Sequence, residues 1–250
     1  MSTQILRSLD DLLAASDHHP SVRFDVGTST TLPAYAAQSS LGSAVAFVGR
    51  LGAHAQTGLT LIGDQSGAQE LLSDSGVRQR LSEEAAYVTV ERSNRALVAE
   101  WIDNDGGDWD WMWTDTAPPA HPAEARCVDL SPGDRDEILD VLTSDNPRTH
   151  ARPFETPDRW IGVRDVAGRL VAVASAERSA GGTAYLSGIT VRSDQRGAGL
   201  GVALTSALTR EAVTTEGVCT LGVFADNDVA IGLYRQLGYR TGARWVTRWV

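Results

Sequence analysis

Three glycines, Gly197, Gly199 and Gly201, alternate with Ala198 and Leu200 directly after Arg196. An apolar strand-like run, Ala184–Arg192, precedes them. After them Leu200, Leu204, Ala207, Leu208 and Ala212 fall on one helical stripe, so Gly199–Glu216 reads as a long amphipathic helix. Glycine lets backbone approach a ligand closely and adopt positive φ. The N–H groups of a first helical turn have no intrahelical acceptor, and the helix dipole adds positive potential, so such a turn suits a pyrophosphate. Arg196 adds charge at the rim. A glycine turn that holds no ligand accounts for the same letters.

A dinucleotide fingerprint needs GxGxxG and an acid closing a second strand; here the spacing is GxGxG, and Glu216 ends a helix. All 22 basic residues are arginine, which excludes a Walker loop and Schiff-base chemistry. A second segment narrows the choice. A strand, Val218–Phe224, leads through Asp226 and Asn227, either of which can cap a helix over Asn227–Leu237. Tyr234 follows Asn227 by seven residues, nearly two turns, so both lie along one helix face. Gly238 is placed to end that helix.

Together the two segments resemble the GNAT acetyltransferase superfamily. Arg196-x-x-Gly199-x-Gly201 is similar to its acyl-CoA pyrophosphate motif, and Asn227-x-x-Ala230-x-x-x-Tyr234-x-x-x-Gly238-Tyr239 to its second motif. The resemblance covers Ala184–Arg240 and, by element order, extends back to Arg126. It implies direct acetyl transfer from acetyl-CoA to an amine. The backbone of Ile189, Thr190 and Val191 would pair with pantetheine. The N–H groups from Arg196 through Gly197, Ala198, Gly199, Leu200 and Gly201 would hold the pyrophosphate. Asn227 would help position the cofactor, or act only as a cap, and Tyr234 would be the general acid for the leaving thiolate. A phenol near pKa 10 can hand its proton to a thiolate near 8.5.

One departure matters. Some members carry a glutamate base eleven residues before the first motif; here that position is Tyr185. The base is then a water chain, Glu177 near the preceding strand end, or a carboxylate of the N-terminal half. The alternative is an acyl-CoA-binding sensor or regulatory module that catalyses little; a nucleotide-binding interaction protein is a third reading.

These motifs need elements to hold them. The 250 residues suffice for one large or two small domains. Ala117–Ala123 carries three prolines and reads as a linker, separating an N-terminal α/β domain (1–116) from a GNAT domain (124–250). Residues 1–123 hold 16 acids against 7 arginines; residues 124–250 hold 16 against 15. Expected C-terminal elements are strands at Arg126–Asp129, Trp160–Arg164, Leu170–Ala176 and Ala184–Arg192, a helix at Pro132–Leu142, and a final strand pair over Tyr239–Val250. In the first half Thr3–Ala15 reads as a helix, Ala44–Val48 and Leu59–Ile62 as strands and Ala68–Leu81 as one or two helices. Tyr87–Glu91 and Leu97–Ile102 read as a hairpin, and Trp109–Trp113 as a further strand. The class is α+β with a mixed α/β sheet. The N-terminal half is either a degenerate GNAT-like domain, giving a tandem arrangement, or an unrelated cap.

Glu100–Asp115 holds six acids and four tryptophans, with Trp109, Trp111 and Trp113 on one strand face. Such a patch would attract a cationic amine, or the tryptophans simply pack between the halves. The acceptor is expected to be a small-molecule or peptide amine. With net charge −10 and no basic stripe, no nucleic-acid partner is expected. No apolar run reaches membrane-spanning length, so a cytoplasmic protein is expected. Cys127 and Cys219 form no CxxC, and His18, His19, His54, His121 and His150 show no i, i+4 pair, so no metal is expected. An exposed edge at Trp245–Val250 would allow a homodimer.

Overall fold

The computed structural model describes residues 3–26, 30–39, 42–52, 56–102, 104–156 and 158–250. Apolar runs from both halves assemble into one mixed sheet, which bears out the α/β class. The N-terminal half supplies β1 (Gln4–Leu6), β2 (Thr31–Ser39), β3 (Gly42–Gly49), β4 (Gly58–Gly63), β5 (Tyr87–Glu91) and β6 (Gly106–Thr114). The C-terminal half supplies β7 (Cys127–Leu130), β8 (Arg159–Arg164), β9 (Leu170–Arg178), β10 (Ala184–Val191), β11 (Cys219–Phe224) and β12 (Arg240–Trp249). The helices are α1 (Leu9–Ala15), α2 (Gln65–Ser73), α3 (Ser75–Glu84), α4 (Arg135–Asp145), α5 (Leu200–Glu216) and α6 (Asp228–Gln236).

The sheet order is β1-β2-β3-β4-β5-β12-β6-β11-β10-β9-β8-β7. Each half therefore lays down five neighbouring strands, with its fourth and fifth parallel: β4 with β5, and β10 with β11. The sixth strands are exchanged. β6 pairs with β11 of the other half, and β12 pairs with β5. β6 and β12 then pair with each other at the centre. The chain order of strands and helices also recurs in the two halves, except that α2 and α3 stand where α5 stands later and the 3-10 segment Arg92–Trp101 stands where α6 does.

The exchange explains three corrections. Leu97–Ile102 is not a hairpin strand; it belongs to that 3-10 segment and the turn after it, because β12 already occupies the edge of β5 where a partner would sit. Tyr239–Val250 is not a strand pair but one strand, bent by a register shift between Thr241 and Ala243. The segment Trp245–Val250 offers no free edge for a dimer, since Trp245 to Trp249 pair with β5 and Trp245 and Val246 are fully buried. The outer strands of the sheet are β1 and β7. Thr3–Ala15 also divides: β1 pairs with β2, then Ser8 caps α1 and Asp11 returns a bond to the Ser8 N–H at 3.1 Å.

Both sheet faces are covered. Under α5 and α6 lies a core of Met112, Leu186, Leu200, Leu204, Leu208, Leu221 and Tyr234. On the opposite face Leu12, Val22, Val26, Trp111 and Trp245 form a second core, against which Trp109, Trp113 and Tyr185 pack. The three alternating tryptophans thus serve packing between the halves. The nearby acids are engaged elsewhere: Asp110 with Arg92 at 2.7 Å, Asp108 with Arg95 at 2.5 Å and Asp115 with Arg240 at 2.8 Å. Among the described residues no helix is long and apolar enough to cross a membrane.

Candidate active site

β10 and β11 run parallel, but their pairing is confined to Tyr185 with Thr220 and Leu186 with Leu221. Beyond Leu186 they separate. The cause is a bulge in β10: its register against β9 shifts between Ser187 and Thr190, where Gly188 takes φ +61°. Ile189 and Val191 consequently turn toward the core beneath α5, and Thr190 faces the other way, accepting a hydrogen bond from Asn146 Nδ2 at 3.1 Å. β11 is paired with β6 on its far side, so the gap lies between Ser187–Val191 and Gly222–Phe224.

The sequence-predicted loop stands at the end of this gap. Gly197 (φ +84°) and Gly199 (φ +71°) lie in the left-handed region, and Gly199 is the N-cap of α5 without a side chain to cap it. The first intrahelical bond is Ala203 N–H to Gly199 O at 3.0 Å. The N–H groups of Leu200, Gly201 and Val202 therefore have no acceptor in the helix itself. The corresponding helix of the first half is the reverse: Asp64 caps α2, accepting from Gly67 N–H at 3.0 Å and from Ser43 N–H at 2.5 Å. A carboxylate fills that helix start and repels an anion; the α5 start is left for one.

The parallel strand pair thus parts over an uncapped, glycine-led helix. The sequence profile of the acetyltransferase (GNAT) family matches residues 129–239. This part of the chain belongs to the GNAT family. A protein of Novosphingobium aromaticivorans assigned to the GNAT family superposes with a TM-score of 0.51 at 25% identity, over 58% of this chain and 64% of that one, so just under two-thirds of the relative is spanned. GNAT N-acetyltransferases from Sphaerobacter thermophilus (TM-score 0.55, 19% identity, 98% of this chain and 94% of that one) and Kribbella flavida (0.54, 18%, 94% and 93%) share the fold along nearly the whole length. No curated protein matches the sequence significantly.

Within this GNAT domain the other motif residues are placed as follows. Arg196 is exposed and leans back on α4, 3.8 Å from the Asp145 carboxylate. Asn227 caps α6, its Oδ1 accepting from Ala230 N–H at 3.1 Å. Tyr234 is buried among the α5 and α6 core residues beside the ring of Tyr239, and burial raises its phenol well above the ordinary value. Tyr185, at the position of the missing glutamate, is wedged between the halves: its hydroxyl packs on Gly222 and its ring on Gly52. Burial raises that phenol as well.

Several neighbours carry no sequence signal of their own. Arg148 stacks 4.1 Å from the Phe224 ring centroid and makes a bidentate pair with Asp226, at 2.7 and 2.9 Å. With Asn146 on Thr190, it carries the segment after α4 from β10 across to the end of β11. The proline-rich segment is held on α5 by a Glu124–Arg210 ion pair and by Pro118 O, which accepts from Arg210 at 3.4 Å. This fold-back sets the His121 ring against Gly199. Among the described residues no group of three His, Cys, Asp or Glu could hold a metal, and His54 lies outside them.

Proposed function

We propose that the protein transfers an acetyl group from acetyl-CoA directly to an amine, on a small molecule or a peptide. The opening of β10 from β11 over the uncapped start of α5 carries this reading. On the side that faces β11, where pairing stops after Leu186, the backbone of Ile189, Thr190 and Val191 would receive the pantetheine amides as an added strand does. The N–H groups from Arg196 to Gly201 would hold the pyrophosphate, with Arg196 free to swing toward it from its exposed position. Asn227 spends its Oδ1 on the α6 cap, leaving its amide N–H groups for the thioester end.

Tyr234 is the proposed general acid. Its phenol, raised by burial, keeps its proton at every working pH. It is then a weaker acid than a free phenol, so it stabilises the departing sulfur chiefly by donating a hydrogen bond as C–S cleavage proceeds.

In the same reading residues 1–116 are a degenerate copy of the GNAT fold, joined through 117–123 to the working domain at 124–250. The repeated element order and the parallel β4–β5 pair support this, and the Asp64 cap on α2 accounts for a lost anion site. Calorimetry with acetyl-CoA, coupled to thiol release across polyamines, amino acids, aminoglycosides and peptides, tests the function. Binding with release for one acceptor class supports the enzyme. Binding without release favours the sensor reading, and no binding removes both.

A further inference from the structure

Acetyl transfer needs a group that takes the acceptor's proton, and Tyr185 leaves the usual position without one. Glu177 is the direct cross-strand partner of Tyr185 in the β9–β10 pair, so the two side chains share a face. It is the face on which Tyr185 meets Gly222, beside the opening between β10 and β11. Glu177 is half-buried. Ser175 Oγ lies 3.2 Å from its Oε1 and also reaches Ser187 O at 3.1 Å, and the Ser187 hydroxyl, like that of Ser175, favours the charged carboxylate. Asp158, just before β8, stands one residue beyond the Arg159–Ala176 pair and so across from Glu177, and its charge acts on the Glu177 carboxyl. One Asp158 oxygen accepts from Trp160 Nε1; the other, Oδ1, is buried without a partner.

No arginine pairs with Glu177 or Asp158 among the described residues; Arg159 is committed to Asp129 and Glu211, and Arg178 to Glu216. Two carboxylates drawn together in a partly dry site repel, and a cation relieves that cost. The groups around them offer none: Ser175 and Ser187 are neutral, the Tyr185 phenol keeps its proton, and Asp25, which Tyr185 senses from the other half, is a further carboxyl. Burial, with Asp158 adding to it, raises the Glu177 carboxyl, which brings it nearer to the basicity a proton acceptor needs.

We infer that Glu177, with Asp158 beside it, receives the ammonium group of the acceptor and takes the proton that makes it a nucleophile. The inference rests on the acetyl-transfer reading. Glu177 accepts one proton from the ammonium; the freed nitrogen lone pair attacks the thioester carbonyl. The C–N bond forms and the C–S bond breaks with its electron pair on sulfur, hydrogen-bonded by Tyr234. The second nitrogen proton goes through solvent to the thiolate, and Glu177 returns its own to solvent. Glu177 is the catalytic residue; Asp158 is a positioning residue that sets its basicity.

The test uses the full chain, acetyl-CoA, and spermidine, glycine, kanamycin and a lysine peptide as acceptors. Glu177→Gln preserves shape and should lower kcat/KM by about 10²–10⁴-fold, with acetyl-CoA affinity and melting temperature unchanged, and should abolish the acid limb of the kcat/KM profile. Asp158→Asn should keep that limb but move it to lower pH, because a like charge that raises the Glu177 carboxyl is gone. A carboxyl 13C titration, with the Glu177 signal assigned by its loss in Glu177→Gln, should show the same downward move without any acceptor. Parent-like turnover and an intact acid limb in Glu177→Gln overturn the base while leaving acetyl transfer standing. A Glu177 signal that ignores Asp158→Asn also overturns it. Absence of acetyl-CoA binding by the parent protein overturns both.

Discussion

The imidazole of His121 stands where a side chain on Gly199 would have to go: a Cβ there would lie 2.8 Å from Cε1 and 3.2 Å from Nε2. The residue that leaves the α5 start open is thus locked by backbone and by packing together. Gly199→Ala must pay for a left-handed φ, about 1–2 kcal/mol, and must also displace the ring. Acetyl-CoA affinity should fall at least about tenfold for each 1.4 kcal/mol lost at the loop. Adding His121→Ala should relieve the clash and recover part of the affinity, because the φ cost persists. Calorimetry on the two variants measures this; full affinity in Gly199→Ala would take the pyrophosphate away from this loop.

Tyr234→Phe should lower turnover while acetyl-CoA affinity stays near that of the parent, since the hydroxyl acts on the departing sulfur and not on the phosphates. The parent should also show no activity loss from phenol ionisation up to pH 9, because burial raises Tyr234 above its ordinary range. Thiol release against pH in both proteins checks the two statements; equal turnover removes Tyr234 as the acid.

The C-terminal site was legible because its chemistry is local. Gly197, Gly199 and Gly201 sit within one turn, and Asn227 and Tyr234 lie along one short helix, so spacing alone places them. What was not legible depends on partners far away in sequence. The exchange of β6 and β12 decides whether Leu97–Ile102 has an edge to pair with, and no local pattern encodes that. Trp111 is buried between the halves, which is the packing alternative for the acid-and-tryptophan segment; its spacing alone does not choose between packing and an amine-attracting patch. Glu177 was visible only as a residue near a strand end; its register opposite Tyr185 gives it meaning.

Two buried groups should pull stability in opposite directions with pH. Asp25 is fully buried at the junction, accepting from Gly52 N–H at 2.7 Å, and burial raises its carboxyl to about 7. Its contribution is whole below the unfolded value of 3.8 and is lost as pH rises to about 7. His19 is half-buried beside Trp245, and burial lowers its imidazole to about 4. Its contribution is whole above the unfolded value of 6.5 and is lost as pH falls toward 4. Between these limits the two slopes oppose. Melting temperatures from pH 4.5 to 7.5 should therefore vary little in the parent from this pair. Asp25→Asn should leave a rise with pH, and His19→Gln a fall. Identical profiles in all three proteins would refute the assignment.

Neither half should fold alone. Residues 1–116 lack β12, which covers β5 along five paired positions, and residues 124–250 lack β6, which covers β11 along six. Each would expose a central strand edge and half of a tryptophan core, the combination that drives aggregation. Expressed separately, both fragments should be insoluble or molten, with no sigmoidal melt. Co-expressed, they should assemble into a one-to-one complex that melts in one transition and binds acetyl-CoA, because the exchanged strands need no covalent link to pair. Far-UV circular dichroism and size exclusion read the outcome. A well-folded, acetyl-CoA-binding 124–250 fragment would mean that the exchange is dispensable to the site and that the first half only decorates it.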